Sequence, residues 1–239
     1  MKLFVLYISC PINPHIIKSL LPLLSDEKQT RLFNYVDEQD KVRTMVADLL
    51  IRRSVRCLLN LRNDQIFFDK NCHGKPHLRD HPNFHFNVSH SGKWVTCVID
   101  NNSIGIDIEE IKPIDLDIAR RFFAKEEQDY VLLSNLVESQ KLARFYEIWT
   151  LKESYIKAIG RGLSLPLSSF SIIINDHCGE IKLKTDMIIQ KYYFYQYELD
   201  PYYKMAVCAK HRFLKGEVIF EDALDFLNSV LRNDYKDFI

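Results

Sequence analysis

Apolar residues recur along the chain at two periods, and the switching between them outlines the elements. After Asp37, Val42, Met45, Val46, Leu49, Leu50 and later Leu58 and Leu59 follow helical spacing, which predicts a core-facing helix of about six turns. Ser25 followed by Asp26 and Glu27 reads as an N-cap with acids in the first turn, so a shorter helix is expected from there to about Val36. Leu3 to Ser9 reads as an opening strand. Further short strands are expected at Ile66-Phe67-Phe68, His85 to Ser91, Trp94 to Ile99 and Ile104 to Glu109, with turns at Ser91-Gly92 and Asn101-Asn102-Ser103. The order then repeats. Helices are predicted near Asp117 to Ala124 and from Lys125, and a long one from Glu138 to Ile159 closed by Gly160. Strands follow around Phe170 to Ile174, Lys191 to Glu198 and Tyr203 to Ala209, and the last element is an amphipathic helix from Glu221 to Leu231. Two similar α/β lobes meeting near residues 100 to 105 account for this order.

Composition narrows the picture. The 239 residues are 47% hydrophobic with only 7 Gly and 8 Pro, which suits a globular chain with a sizeable core. Lys plus Arg equals Asp plus Glu at 32 each, so coating of a polyanion is not expected, and nucleic acid is not among the expected partners. No run of 18 apolar residues is present, so no membrane span is expected. The stretch before Cys10 invites a signal-peptide reading, but a lone Lys2 and a short apolar run favour a strand. Cys10, Cys57, Cys72, Cys97, Cys178 and Cys208 form no C-x-x-C pair and read as reduced thiols, and a cytoplasmic, monomeric protein is expected.

In Ile104-Gly105-Ile106-Asp107-Ile108-Glu109 the acids alternate with isoleucines, so a strand puts Asp107 and Glu109 on one face. A lone D-x-E is ordinarily a strand end with its acids in solvent. Here the long second helix adds Trp149, Glu153 and Lys157 four apart on one face, and Glu153–Lys157 alone would be a surface ion pair. Three carboxylates without a histidine or cysteine cluster suit a hard cation such as magnesium, which implies a phosphate ligand. Gly74-Lys75-Pro76 and Phe86-Asn87-Val88-Ser89-His90-Ser91-Gly92 could supply cationic and hydroxyl donors to such a phosphate. Serine hydrolysis at Ser89-His90-Ser91 is weak, because neighbours on a strand point to opposite faces and no G-x-S-x-G elbow exists. His73, His77, His81 and His85 are four apart, but Gly74, Pro76 and Pro82 break any helix that would align them for zinc.

Taken in order, Gly74-Lys75-Pro76, Phe86 to Gly92, Gly105-Ile106-Asp107-Ile108-Glu109 and Trp149-Thr150-Leu151-Lys152-Glu153-Ser154-Tyr155-Ile156-Lys157 resemble the 4'-phosphopantetheinyl transferase superfamily, in its long, surfactin-synthetase-activating type. The likeness runs from the first strand to about residue 210 and includes Gly162-Leu163-Ser164-Leu165-Pro166. It implies an α/β (α+β) pseudo-dimer, with lobes 1–103 and 104–239 and the active site in the cleft between them. It also implies transfer of the phosphopantetheine arm of coenzyme A to a serine of an apo carrier protein, expected to be a peptidyl carrier domain of a nonribosomal peptide synthetase, with release of 3',5'-ADP. By position, Asp107, Glu109 and Glu153 would hold Mg2+. Lys28, Arg31, Arg43, Lys75, Pro76, Ser89, His90 and Lys157 would bind coenzyme A, with Arg43 and His90 near the 3'-phosphate. Glu153 would take the serine proton and Lys157 would assist the departing phosphate. The carrier is expected to dock on residues 160 to 190, with Phe122 and Phe123 as a second candidate. The competing readings are a metal-dependent nuclease or phosphodiesterase, and a noncatalytic coenzyme A-binding scaffold.

Overall fold

The computed structural model describes residues 1–175, 179–185, 191–212 and 218–232. The first lobe opens with β1 (Lys2–Tyr7), then α1 (Pro14–Leu20), α2 (Asp26–Phe33) and α3 (Glu38–Leu59). Strands β2 (Phe68–Lys70), β3 (Pro76–Leu78), β4 (His85–Ser91) and β5 (Trp94–Asp100) complete it. The cap predicted at Ser25 is where the pattern puts it, and Asp37 adds a second. The Ser25 side chain accepts from the Lys28 N–H, and Asp37 accepts from Gln39 and Asp40, satisfying donors that an α-helix leaves unpaired at its start. α1 was concealed by its prolines, although Asn13 caps it and Pro14 stands in the first turn, where a missing N–H costs nothing.

The second lobe holds β6 (Ile104–Glu110), α4 (Asp117–Phe122), α5 (Lys125–Val131), α6 (Glu138–Ile159), β7 (Phe170–Asn175), β8 (Glu180–Thr185), β9 (Tyr193–Gln196) and β10 (Tyr203–Ala209). After residues 213–217, β11 (Val218–Asp222) and α7 (Ala223–Arg232) follow. These last two correct the expected lobe boundary at its far end. β11 pairs in parallel with β1, and Phe226, Leu227 and Val230 of α7 lie in the first lobe's core, so the chain returns to the lobe it started from.

Two sheets carry the architecture, ordered β11-β1-β5-β4 and β6-β10-β9. Each packs against one 22-residue helix, α3 in the first lobe and α6 in the second. Between the sheets, β4 and β6 run side by side without a backbone ladder. Instead, Asn87, Ser89 and Ser91 of β4 turn their side chains to the N–H groups of Ile106, Ile108 and Glu110 at 2.8, 3.3 and 3.1 Å. Both sets alternate by two because both are strands, so this side-chain zipper satisfies β6 while holding the sheets one side chain apart. A third core, containing Leu3, Val5, Val98, Ile106, Ile108, Met205 and Val207, lies where the two sheets face each other.

Candidate active site

The face of β6 opposite its isoleucines meets this seam. Asp107 is buried, and its Oδ1 accepts from Ser89 Oγ at 2.9 Å and from Lys157 Nζ at 2.5 Å. Lys157 also donates to Ser89 Oγ at 3.1 Å. Glu109 accepts from Ser91 Oγ at 2.9 Å. The approach of α6 that makes this possible depends on Gly105, where a Cβ would stand 2.1 Å from Ser154 O and 2.4 Å from Ala158 N. Any side chain there would push the helix that carries Glu153 and Lys157 away from the strand that carries Asp107 and Glu109.

Electrostatically the seam is strained in one direction. Burial first, then the Asp107 charge, pushes Glu109 up to about 7. Glu153 is raised by burial and by Asp107, against the pull of Lys157. Asp107 is raised by burial, with Lys157 and Ser89 opposing. Each carboxylate thus disfavours ionisation of the next, which is the condition a cation relieves. Asp107 Oδ2 is buried without a hydrogen-bond partner. An orphaned carboxylate oxygen beside two more carboxylates is an all-oxygen donor set that fits a hard divalent ion. The side chains do not close into a finished cage, since among the described residues no three acidic, histidine or cysteine groups gather that tightly. One of the two Asp107 oxygens is given to Lys157 instead.

Adjacent to the seam, a cleft of about 350 Å³ brings together Lys28, Arg31, Pro76 and His90 over a floor that includes Phe68, Phe86 and Val88. Lys28 and Arg31 stand one turn apart on α2, with Lys28 3.5 Å from Asp48. Burial, with Arg43 and Lys157 nearby, lowers His90 to about 4, so its ring is neutral at pH 7. Asp48 and Arg52, which also line the cleft and pair at 2.9 Å, were missed in the sequence. Their signal was an acid–base pair four apart inside an otherwise apolar helix face.

Three residues expected to contact coenzyme A, Arg43, Lys75 and Ser89, do not line this cleft. Arg43 is held by Asp40 at 2.5 Å and by Gly92 O at 2.8 Å, and lines a neighbouring apolar pocket of about 520 Å³. Lys75 turns away from the cleft and donates to Ile104 O and Ala158 O, each at 3.1 Å, with burial lowering it to about 8. Gly74 and Pro76 line the cleft, whereas Lys75 lines a separate pocket with Asn71, Ser103 and Ala158. Ser89 is engaged with Asp107 and Lys157 rather than with the cleft. Of the two paired aromatics, Phe123 is core and stacks on Phe145, whereas Phe122 is 49% exposed. Residues 176–178 and 186–190 of the expected docking segment, the side chain of Leu163 and Cys178 lie outside the described residues.

A cation-rimmed cleft beside buried carboxylates and an ammonium is an arrangement chemically able to take a phosphorylated ligand. The comparisons give the family. Its sequence pattern, described as the 4'-phosphopantetheinyl transferase superfamily, matches residues 103–208, and the N-terminal pattern of 4'-phosphopantetheinyl transferases matches residues 11–102. The chain is 39% identical to 4'-phosphopantetheinyl transferase Sfp of Bacillus subtilis (strain 168), over 88% of this chain and 93% of that one. It is 42% identical to 4'-phosphopantetheinyl transferase psf-1 of Bacillus pumilus, over 81% of this chain and 82% of the relative. Thermotoga maritima holo-[acyl-carrier-protein] synthase shows a partial structural likeness, with a TM-score of 0.38 and 17% identity over 45% of this chain and 61% of that one. The chain belongs to the 4'-phosphopantetheinyl transferase superfamily and is a transferase of that type. Among the described residues no helix is long and apolar enough to cross a membrane.

Proposed function

We propose that this chain moves the phosphopantetheine arm of coenzyme A to a serine of an apo carrier protein through the seam residues Asp107, Glu109, Glu153 and Lys157. The observation that carries the site assignment is the orphaned Asp107 Oδ2 beside Lys157, at the edge of a cleft rimmed by Lys28, Arg31 and His90. Magnesium, the expected metal, would be held by Asp107, Glu109 and Glu153, and when bound it supplies neutralisation of the pyrophosphate charge.

The chain's own groups divide the remaining work. Lys28 and Arg31 bind the nucleotide phosphates as rim cations, and His90 offers a neutral ring that a phosphate dianion would draw towards protonation. The carrier serine oxygen forms a new bond to the phosphorus bearing pantetheine, while the bond from that phosphorus to the bridging oxygen of 3',5'-ADP breaks. Glu153, whose carboxyl is raised towards neutrality, takes the serine proton. Lys157, one turn further along α6, faces the charge that develops on the departing phosphate. The balanced formal charge, with 32 residues of each sign, gives no support to a nuclease.

Intact-protein mass measurement of apo carrier domains incubated with coenzyme A, with and without magnesium, tests the reading. The expected result is a phosphopantetheine mass gain that needs magnesium and is lost in Glu153→Gln. A variant that keeps near-normal turnover in saturating magnesium removes Glu153 from the role of base. Peptide-synthetase carriers are the first to try, and docking is expected on the exposed parts of 160–175 and 179–185, with exposed Phe122 as a second candidate. Charge reversal there should raise the carrier KM and leave coenzyme A binding intact.

A further inference from the structure

The hairpin β2–β3 has two working faces. One carries Gly74 and Pro76 into the wall of the cleft. The other presents Lys75 and Asn71 to the end of α6. Lys75 Nζ bridges Ile104 O, at the start of β6, and Ala158 O, in the last turn of α6, at 3.1 Å each. Asn71 Nδ2 donates to Gly160 O at 2.9 Å, while its Oδ1 accepts from the N–H groups of His73 and Lys75, also at 2.9 Å, and so fixes the turn. Ser103 Oγ donates to Ala158 O as well. The final carbonyls of a helix lack intrahelical partners and carry its negative dipole end, so an ammonium and an amide are the donors this position asks for. Contact is close. Gly160 adopts a φ of +70°, and a Cβ there would stand 2.8 Å from Lys75 Cδ and 3.1 Å from Asn71 Nδ2.

We propose that Lys75 and Asn71 are positioning residues which cap α6 from the opposite lobe and hold it in register with β6. The two carbonyls bridged by Lys75 belong to the strand that carries Asp107 and the helix that carries Lys157. The same hairpin that walls the cleft therefore sets the spacing across the reacting groups. Lys75 is half-buried in this junction with its ammonium on two carbonyls, so its charge serves the helix end and leaves the phosphates to Lys28 and Arg31. This inference rests on the reading that Glu153 and Lys157 perform the transfer.

The test is steady-state kinetics with an apo carrier domain together with calorimetric coenzyme A binding, on Lys75→Met and Asn71→Ala. The expected split is a kcat at least tenfold lower in Lys75→Met, a smaller fall in Asn71→Ala, and coenzyme A Kd within threefold of wild type in both. Kd weakened tenfold or more at unchanged kcat would make Lys75 a phosphate ligand and overturn the proposal, as would a kcat within twofold of wild type. Should Lys75→Met fail to fold, Asn71→Ala, which removes one hydrogen bond to the helix, decides by the same split with a threefold fall in kcat as its threshold. Glu153→Gln run in parallel separates the two ideas. Full turnover there defeats the parent reading, whereas wild-type kcat in both hairpin variants defeats only this one.

Discussion

Helix α6 carries two lysine–carboxylate pairs little more than a turn apart, and they have opposite characters. Lys152 is enclosed with Glu127, both side chains at 0% exposure, and its Nζ lies 2.5 and 2.7 Å from the two carboxylate oxygens and 2.7 Å from Phe170 O. Glu127 also accepts from the N–H groups of Ala124 and Ile172, so every donor and acceptor of the pair is used. Lys157 and Asp107 sit at the lobe seam at 28% and 3% exposure, and Asp107 keeps one oxygen without a partner. The saturated pair fastens α5, α6 and β7 together and has no capacity left for a ligand. The unsaturated pair costs stability and keeps a place for chemistry, and its neighbour is the fastening that holds it still.

The largest test of this contrast is Lys152→Met. Leaving Glu127 buried without its partner should destabilise the protein by about 3–5 kcal/mol, and Glu127→Leu added to it should recover much of the loss. Urea unfolding reads this directly, and a loss under about 1 kcal/mol would erase the distinction between the pairs. Lys157→Met also strips buried Asp107 of its ammonium and should cost stability, but what sets it apart should be at least about a 100-fold fall in transfer rate, equivalent to about 2.7 kcal/mol. A Lys157→Met protein that turns over normally would make the seam pair as structural as its neighbour.

Acid sharpens the comparison further. Burial lowers His90 to about 4 from its usual 6.5, so between those values the unfolded chain binds more protons at this residue and the His90 contribution to stability falls as pH drops, while the raised Glu109 contributes in the opposite direction. The His90 share, read as the difference in pH dependence between wild type and His90→Gln, should be about 2 kcal/mol by pH 4, allowing for the partly exposed ring, and the same share should persist in Lys152→Met. The smallest expected effect is that of magnesium. At tenfold excess over its Kd it should add about 1.4 kcal/mol, raising Tm by roughly 3–5 °C. The shift should disappear in Asp107→Asn and survive in Lys152→Met, and a shift equal in both would place the ion elsewhere.

Much of the frame was legible before any coordinates. The caps at Ser25, Asp37 and Gly160 were readable because capping is local, and α3 and α6 because their apolar stripes repeat every turn. Alternation alone put Asp107 and Glu109 on one face of β6. What lay beyond reach of the sequence shares a cause. The resemblance assigns Lys75 and Arg43 to coenzyme A by position, but where their side chains go depends on a hairpin's facing and on Asp40 and Gly92. β11 went unread because a short edge strand is recognised by the β1 it pairs with, which lies more than 200 residues earlier in the chain.

What the sequence determined by itself was the set of periodic elements, their caps, and an order of motifs specific enough to name a family. These are properties of neighbours along the chain, where spacing and residue type suffice. Only the tertiary structure decided that the lobes meet through a zipper of serine and asparagine side chains, that Gly105 admits α6 against β6, and that Lys75 serves a helix end. Those outcomes depend on which buried polar groups find partners once distant segments are packed, and that accounting closes only in three dimensions.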